Sequence, residues 1–276
     1  MNEQDDESSK SRIRMLNPVK RRARTPQRFR RGVYLLPSTL TLANMFCGYA
    51  CIVYSMRGEL EKAAPLIGVA IIIDMLDGRV ARMTGTTSAF GVEFDSLADI
   101  ISFGVAPAIL AFQWGLQPLG RLGWAAGFVF VAGAAIRLAR FNIQAGTVDK
   151  RYFVGLPSPA AAGVPAATIF FHPMGFESPA AALPVLALVI APGLLMVSNI
   201  RFYSFKTIDL KTRRAYPVLA LLALGLALMT AHEIMLVVIA YAYLASGIVM
   251  WAWSRLRRQS HEEHEDEATT KVTKTN

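Results

Sequence analysis

Apolar residues fall into eight long runs, separated by short polar breaks. A bilayer core takes about 20 mostly apolar residues per helix. On that measure the pattern predicts spans at 33–56, 63–82, 97–114, 121–140, 157–173, 180–199, 216–231 and 233–254. The fifth and seventh are short, and Pro165 and Pro184 lie inside the fifth and sixth. The fold class is therefore all-α, a polytopic membrane bundle of about eight transmembrane helices over residues 33–256. Residues 1–32 read as a basic, disordered arm, and 257–276 as an acidic, disordered tail.

Composition agrees with the pattern. The 276 residues are 53% hydrophobic and only 18% charged, with a mean hydropathy of +0.36. A soluble domain carries roughly 25% charged residues. These values exclude a disordered chain and argue against a soluble enzyme. The net charge of +9 would suggest nucleic acid in a soluble protein. Among long apolar runs it reflects basic cytoplasmic loops instead, so no nucleic-acid partner is expected. Cys47 and Cys51, one helical turn apart in an apolar run, read as small hydrophobes.

Charge placement predicts the orientation. With an even number of spans, the loops at 57–62, 115–120 and 174–179 share a side and hold, with their flanks, only Arg57, Lys62 and Arg121 as basic residues. The other side receives the arm with Lys20, Arg21, Arg22, Arg24, Arg28, Arg30 and Arg31. It also receives Lys150, Arg151, the cluster Arg201, Lys206, Lys211, Arg213 and Arg214, and Arg255, Arg257 and Arg258. By the positive-inside rule both termini are cytoplasmic, in a cell membrane. The basic arm would also adhere to anionic membrane lipids.

The second span does not stay apolar. On a helix, Asp74, Asp77, Gly78 and Ala81 share one face, and Gly91, Asp95 and Asp99 form an i, i+4, i+8 stripe on the next helix. Two carboxylates per helix would converge at the cytoplasmic end, beside small residues that leave room for a flat ligand. An aspartate at a helix centre costs about 2.5–3.5 kcal/mol on insertion scales. Arg79 and Arg82 could pair two of the acids in a structural salt-bridge knot, but not four. Aspartate oxygens clustered without His or Cys suit two hard divalent ions, Mg²⁺ or Mn²⁺. Such a site serves diphosphate chemistry, in which a hydroxyl attacks in line and a base takes its proton. Asp99 is the natural base, since three other aspartates suffice for the metals. His172 and His232 lie near outer span ends, and His261 and His264 in the acidic tail, and none receives a catalytic role.

The pattern D-x2-D-G-x2-A-R-x8-G-x3-D-x3-D, from Asp74 to Asp99, resembles the signature of the CDP-alcohol phosphotransferase family at every position. That resemblance implies displacement of CMP from a CDP-linked alcohol or lipid by an acceptor hydroxyl. It implies that Asp74, Asp77 and Asp95 bind the metals, while Asp99 contributes to the metals and acts as base. Gly78, Ala81, Arg82 and Gly91 would then face the CDP moiety. Near the start the family often has Pro-Asn before a Thr and an Asn. Here Ser38 follows Pro37, with Thr41 and Asn44 in place as substrate contacts.

Within the family, three further segments resemble the membrane-integral phosphatidylserine synthases. They are 94–108, Arg137-Leu138-Ala139-Arg140-Phe141-Asn142, and 155–163. The implied substrates are CDP-diacylglycerol and L-serine, the implied products phosphatidylserine and CMP, and the implied assembly a homodimer. Serine carries a carboxylate, for which arginine is the usual bidentate partner. Arg137, Arg140 and Asn142 are thus candidates for serine or the diphosphate, or else are ordinary positive-inside anchors; Lys150 and Arg151 follow behind. Rival readings are a family member with another acceptor (giving phosphatidylglycerol phosphate, phosphatidylcholine or an inositol lipid), an intramembrane prenyltransferase, and an ion-coupled transporter. The last two would favour a second, distant copy of the acidic motif or acids at the midplane.

Overall fold

A computed structural model describes residues 30–84, 88–144, 152–176, 178–203, 234–249 and 252. Among the described residues, the regular structure is helical except for one short strand pair. The helices are α1 (Arg30–Met56), α2 (Leu60–Thr84), α3 (Ala89–Leu119), α4 (Arg121–Gln144), α5 (Ser158–Phe171), α6 (Pro179–Val197) and α7 (Ile234–Val249). Four of them, α1, α3, α4 and α6, are long and apolar enough to cross a membrane. The polar second half of α2 sets it apart, and α5 and the described part of α7 are shorter.

The structure departs from the sequence expectation in several places. Helix α1 already includes Arg30, inside the expected arm, at the edge of the described residues. The third is not confined to 97–114 but runs unbroken from Ala89 to Leu119. Ser88 starts it eight residues early by capping: its Oγ accepts from the Gly91 amide at 3.0 Å. The strands β1 (Tyr152–Val154) and β2 (Arg201–Tyr203), which the apolar pattern did not announce, pair antiparallel with Phe153 opposite Phe202. The arm before Arg30, the span at 216–231, Lys150 and Arg151, and the acidic tail lie outside the described residues.

Helix α3 contains two wide turns, Ile100–Val105 and Phe112–Leu116. Each ends just ahead of a proline, Pro107 and Pro118. A proline removes one amide donor and crowds the carbonyl four residues back. The ladder responds with i→i−5 bonds, from Ala106 to the Ile101 carbonyl and from Gln117 to the Phe112 carbonyl. The first wide turn begins directly after Asp99.

Small residues let the helices approach closely, as membrane bundles require. A Cβ on Gly48 of α1 would lie 2.7 Å from the Cα of Ser102 on α3. One on Gly133 of α4 would lie 2.4 Å from the Gly193 carbonyl oxygen of α6. The core holds Ile67, Phe103, Leu110, Phe130 and Ile169, whereas Phe46, Phe90, Trp124, Phe128 and Ile143 face outward. Large apolar side chains on the outside match a hydrocarbon solvent, and the protein is an integral membrane protein. Between α1 and α2, Gly58 turns the chain with a φ of 75°. There Lys62 donates to Glu59 at 2.6 Å and holds that carboxyl below its ordinary pKa.

Candidate active site

The site forms where α1, α2 and α3 meet and where α4 and α5 close the same end of the bundle. The tight turn at Gly120 reverses α4 onto α3, which returns Arg137 to the level of Asp99. From Asp99 to Gln113 the helix climbs roughly 21 Å, at about 1.5 Å per residue. A cleft of about 460 Å³ beside Gln113, Trp114, Gln117 and Phe176 therefore lies at the far end. His172 belongs to that end as well, its carbonyl accepting from the Trp114 indole at 2.8 Å.

Three of the four aspartates converge. Asp74 of α2 and Asp95 and Asp99 of α3 each present a carboxylate oxygen, all within 4.8 Å of one another. Asp74 and Asp95 are half-buried and Asp99 is buried. Asp77 sits beside this group, with its Oδ2 accepting from the Thr41 hydroxyl. It interacts electrostatically with Asp95. Its other oxygen, Oδ1, is buried without a hydrogen-bond partner among the described residues.

Helix α1 braces the acids from behind. Thr41 reaches Asp77 on α2, and one turn later Asn44 donates its Nδ2 to Asp99 Oδ1 at 3.2 Å on α3. Ser102 of α3 returns a bond to the Asn44 carbonyl at 2.9 Å. Thr41 and Asn44, expected as substrate contacts, thus each donate one hydrogen bond to a carboxylate. Asn44 Oδ1 is buried and unpartnered among the described residues. Oxygen donors, converging carboxylates and an orphaned carboxylate oxygen fit a hard divalent cation. Among the described residues, no nitrogen or sulfur ligand takes part in the acidic group.

Gly78 and Ala81 on α2, and Gly91 on α3, lie half-buried along the helices that carry the acids. Arg82 falls in the last turn of α2. The three basic-segment residues separate. Arg137 is buried, donates from Nη1 to Ser158 Oγ at 2.7 Å, and interacts electrostatically with Asp99 and Asp74. Arg140 turns instead to α6, donating to the Val197 carbonyl at 3.1 Å and to Asn199 Oδ1 at 3.3 Å. Asn142 donates to Ser96 Oγ at 2.9 Å, one residue past Asp95.

Sequence reasoning passed over Ser158 and Ser96 as partners of these side chains. Ser158 stood in plain view between Pro157 and Pro159, at the start of the short fifth span. The strand pair holds that start in place. Gly155, at a φ of 82°, donates to the Ile200 carbonyl at 2.8 Å, and Leu156 to the Leu195 carbonyl at 3.0 Å.

The model of the CDP-alcohol phosphatidyltransferase family matches residues 34–195, and the chain belongs to that family. The matched stretch contains all four aspartates, both arginines and Ser158. The chain is 40% identical over 220 residues to the CDP-diacylglycerol–serine O-phosphatidyltransferase of Helicobacter pylori, covering 79% of this chain and 92% of that protein. To the protein of the same name from Mycobacterium leprae it is 41% identical over 142 residues, 49% of this chain and 47% of that one. To the archaetidylserine synthase of Methanothermobacter thermautotrophicus it is 38% identical over 169 residues, 60% of this chain and 69% of that one.

Proposed function

We propose that this protein transfers the phosphatidyl group of CDP-diacylglycerol to the hydroxyl of L-serine, giving phosphatidylserine and CMP. The observation that carries the reading is the convergence of Asp74, Asp95 and Asp99 within 4.8 Å. The names of the relatives supply the donor and acceptor.

Asp74, Asp77, Asp95 and Asp99 would hold two divalent ions, Mg²⁺ or Mn²⁺. When bound, such ions neutralise the diphosphate oxygens and the departing phosphate of CMP. Asp99 takes the proton of the serine hydroxyl as its oxygen bonds to phosphorus and the bond to CMP breaks. Positioning of that carboxylate against the hydroxyl supplies much of the effect. Asn44 provides that positioning by fixing one Asp99 oxygen. Gly78, Ala81 and Gly91 leave space for the cytidine nucleotide, Arg82 adds charge beside it, and Thr41 keeps Asp77 turned inward. Both termini and the active site face the cytoplasm, the chain crosses the membrane about eight times, and it works as a homodimer.

An acceptor screen on the purified protein tests the reading. CMP release from CDP-diacylglycerol should depend on L-serine. Release with glycerol 3-phosphate, choline or inositol instead, and none with serine, would assign the protein to another branch of the family.

A further inference from the structure

We propose that Arg137, Ser158 and the first turn of α5 form the subsite for the acceptor's carboxylate, an inference that rests on the acceptor proposed above being an amino acid.

Arg137 is only 8% exposed, yet its Nη1 is bonded to a neutral hydroxyl. Its Nε is buried with no hydrogen-bond partner among the described residues. Asp99 and Asp74 act on the guanidinium electrostatically, yet a buried N–H with no acceptor is costly, and a bound anion would complete it. Its neighbour supplies a second positive element. Ser158, itself fully buried, is the first residue of the 14-residue helix α5. The residue before it, Pro157, gives that helix no side-chain cap. Pro159 has no N–H and the Ala161 amide bonds the Pro157 carbonyl at 2.8 Å, so Ser158 and Ala160 hold the first-turn amides without a partner inside the helix, at an end of partial positive charge. Guanidinium and helix end adjoin at one serine hydroxyl.

Position separates the carboxylate from the diphosphate as the ligand. The small residues proposed for the nucleotide lie on α2 and the first turns of α3. Arg137 comes from α4, which packs against the wide turn that follows Asp99. It interacts electrostatically with Asp99, the proposed base for the acceptor hydroxyl. In serine the hydroxyl and carboxylate are borne on neighbouring carbons of the amino-acid backbone and side chain. An acceptor with its hydroxyl at Asp99 therefore presents its carboxylate within reach of the Arg137 side of the site.

The test uses the full chain in detergent with Mg²⁺, measuring CMP release at varied serine and varied CDP-diacylglycerol. Serinol, in which a hydroxymethyl group replaces the carboxylate, serves as the competing probe. Arg137→Gln should raise the KM for serine about 10- to 100-fold, the scale of a lost charge-assisted hydrogen bond, and leave the KM for CDP-diacylglycerol within about 2-fold. Ser158→Ala should raise the serine KM about 3- to 10-fold, as loss of a neutral bond that positions Arg137. The unaltered protein should bind serinol about 10- to 100-fold more weakly than serine, a comparison that holds even if Arg137→Gln does not fold. Equal binding of serine and serinol would overturn the subsite. So would a raised KM for CDP-diacylglycerol with serine unmoved, which would place Arg137 on the diphosphate. A protein that releases no CMP with serine would overturn the proposed function itself, and this subsite with it.

Discussion

Asn44 and Asp99 are joined across two helices: the Asn44 amide donates to Asp99 Oδ1 at 3.2 Å, and both side chains are buried. The same asparagine accepts from Ser102 through its carbonyl, so one turn of α1 fixes both the acid and the backbone just beyond it. Asn44→Ala should therefore lower kcat about 10- to 100-fold with little change in either KM. The effect matches loss of a hydrogen bond to a charged group, about 1.5–3 kcal/mol. Initial rates of CMP release, with a thermal melt to score folding, check it.

Asp99→Asn keeps the shape of the side chain and one oxygen to accept from Asn44, but removes its charge and basicity. Turnover should fall at least about 100-fold, the lower range for a lost general base, while the protein still inserts and folds. Near-normal rates in this variant would take Asp99 out of the mechanism.

Chelation addresses the acidic group as a whole. EDTA should abolish CMP release, and added Mg²⁺ or Mn²⁺ should restore it. In Asp77→Ala the divalent-ion titration should shift to higher concentration, because an orphaned carboxylate oxygen is lost from the edge of the cluster. An unchanged titration would remove Asp77 from the metal site.

Arg140 offers a contrast with Arg137. It is tied to Val197 and Asn199 at the end of α6, so Arg140→Ala should loosen the α4–α6 contact at that end. A stability loss of about 1–2 kcal/mol is the expected scale for partly exposed hydrogen bonds. The thermal midpoint in detergent should drop while the serine KM stays within about 2-fold.

Gly133 and Gly193 bring α4 and α6 to backbone contact, with 2.4 Å between a virtual Cβ and the opposing oxygen. Gly133→Val should separate the helices and destabilise the protein by about 1–3 kcal/mol, the usual range for overpacking. Yield of folded protein and its thermal midpoint measure this directly.

How much of this was legible beforehand depends on range. The acidic stripes at 74–81 and 91–99 follow from helical periodicity within single elements, and three of the aspartates do meet. The Thr41–Asp77 and Asn44–Asp99 bonds depend on the packing register of α1 against its neighbours, which no local period encodes. Arg137 and Arg140 looked equivalent in sequence. Three residues leave them about 60° apart around the helix, enough to send one toward Asp99 and the other toward α6. The strand pair was hidden because three-residue strands fall within loops and carry no alternation to detect. Pro107 and Pro118 were visible, but read simply as residues of apolar runs they did not disclose the wide turns ahead of them.

Those turns change how α3 should be mutated. Each wide turn accommodates an extra residue, so the angular phase set by Gly91, Asp95 and Asp99 does not carry past Val105. A helical wheel drawn straight through to Leu119 would assign lipid-facing and bundle-facing positions to the wrong sides. Scanning substitutions should be planned with three separate wheels, one for each stretch between the offsets.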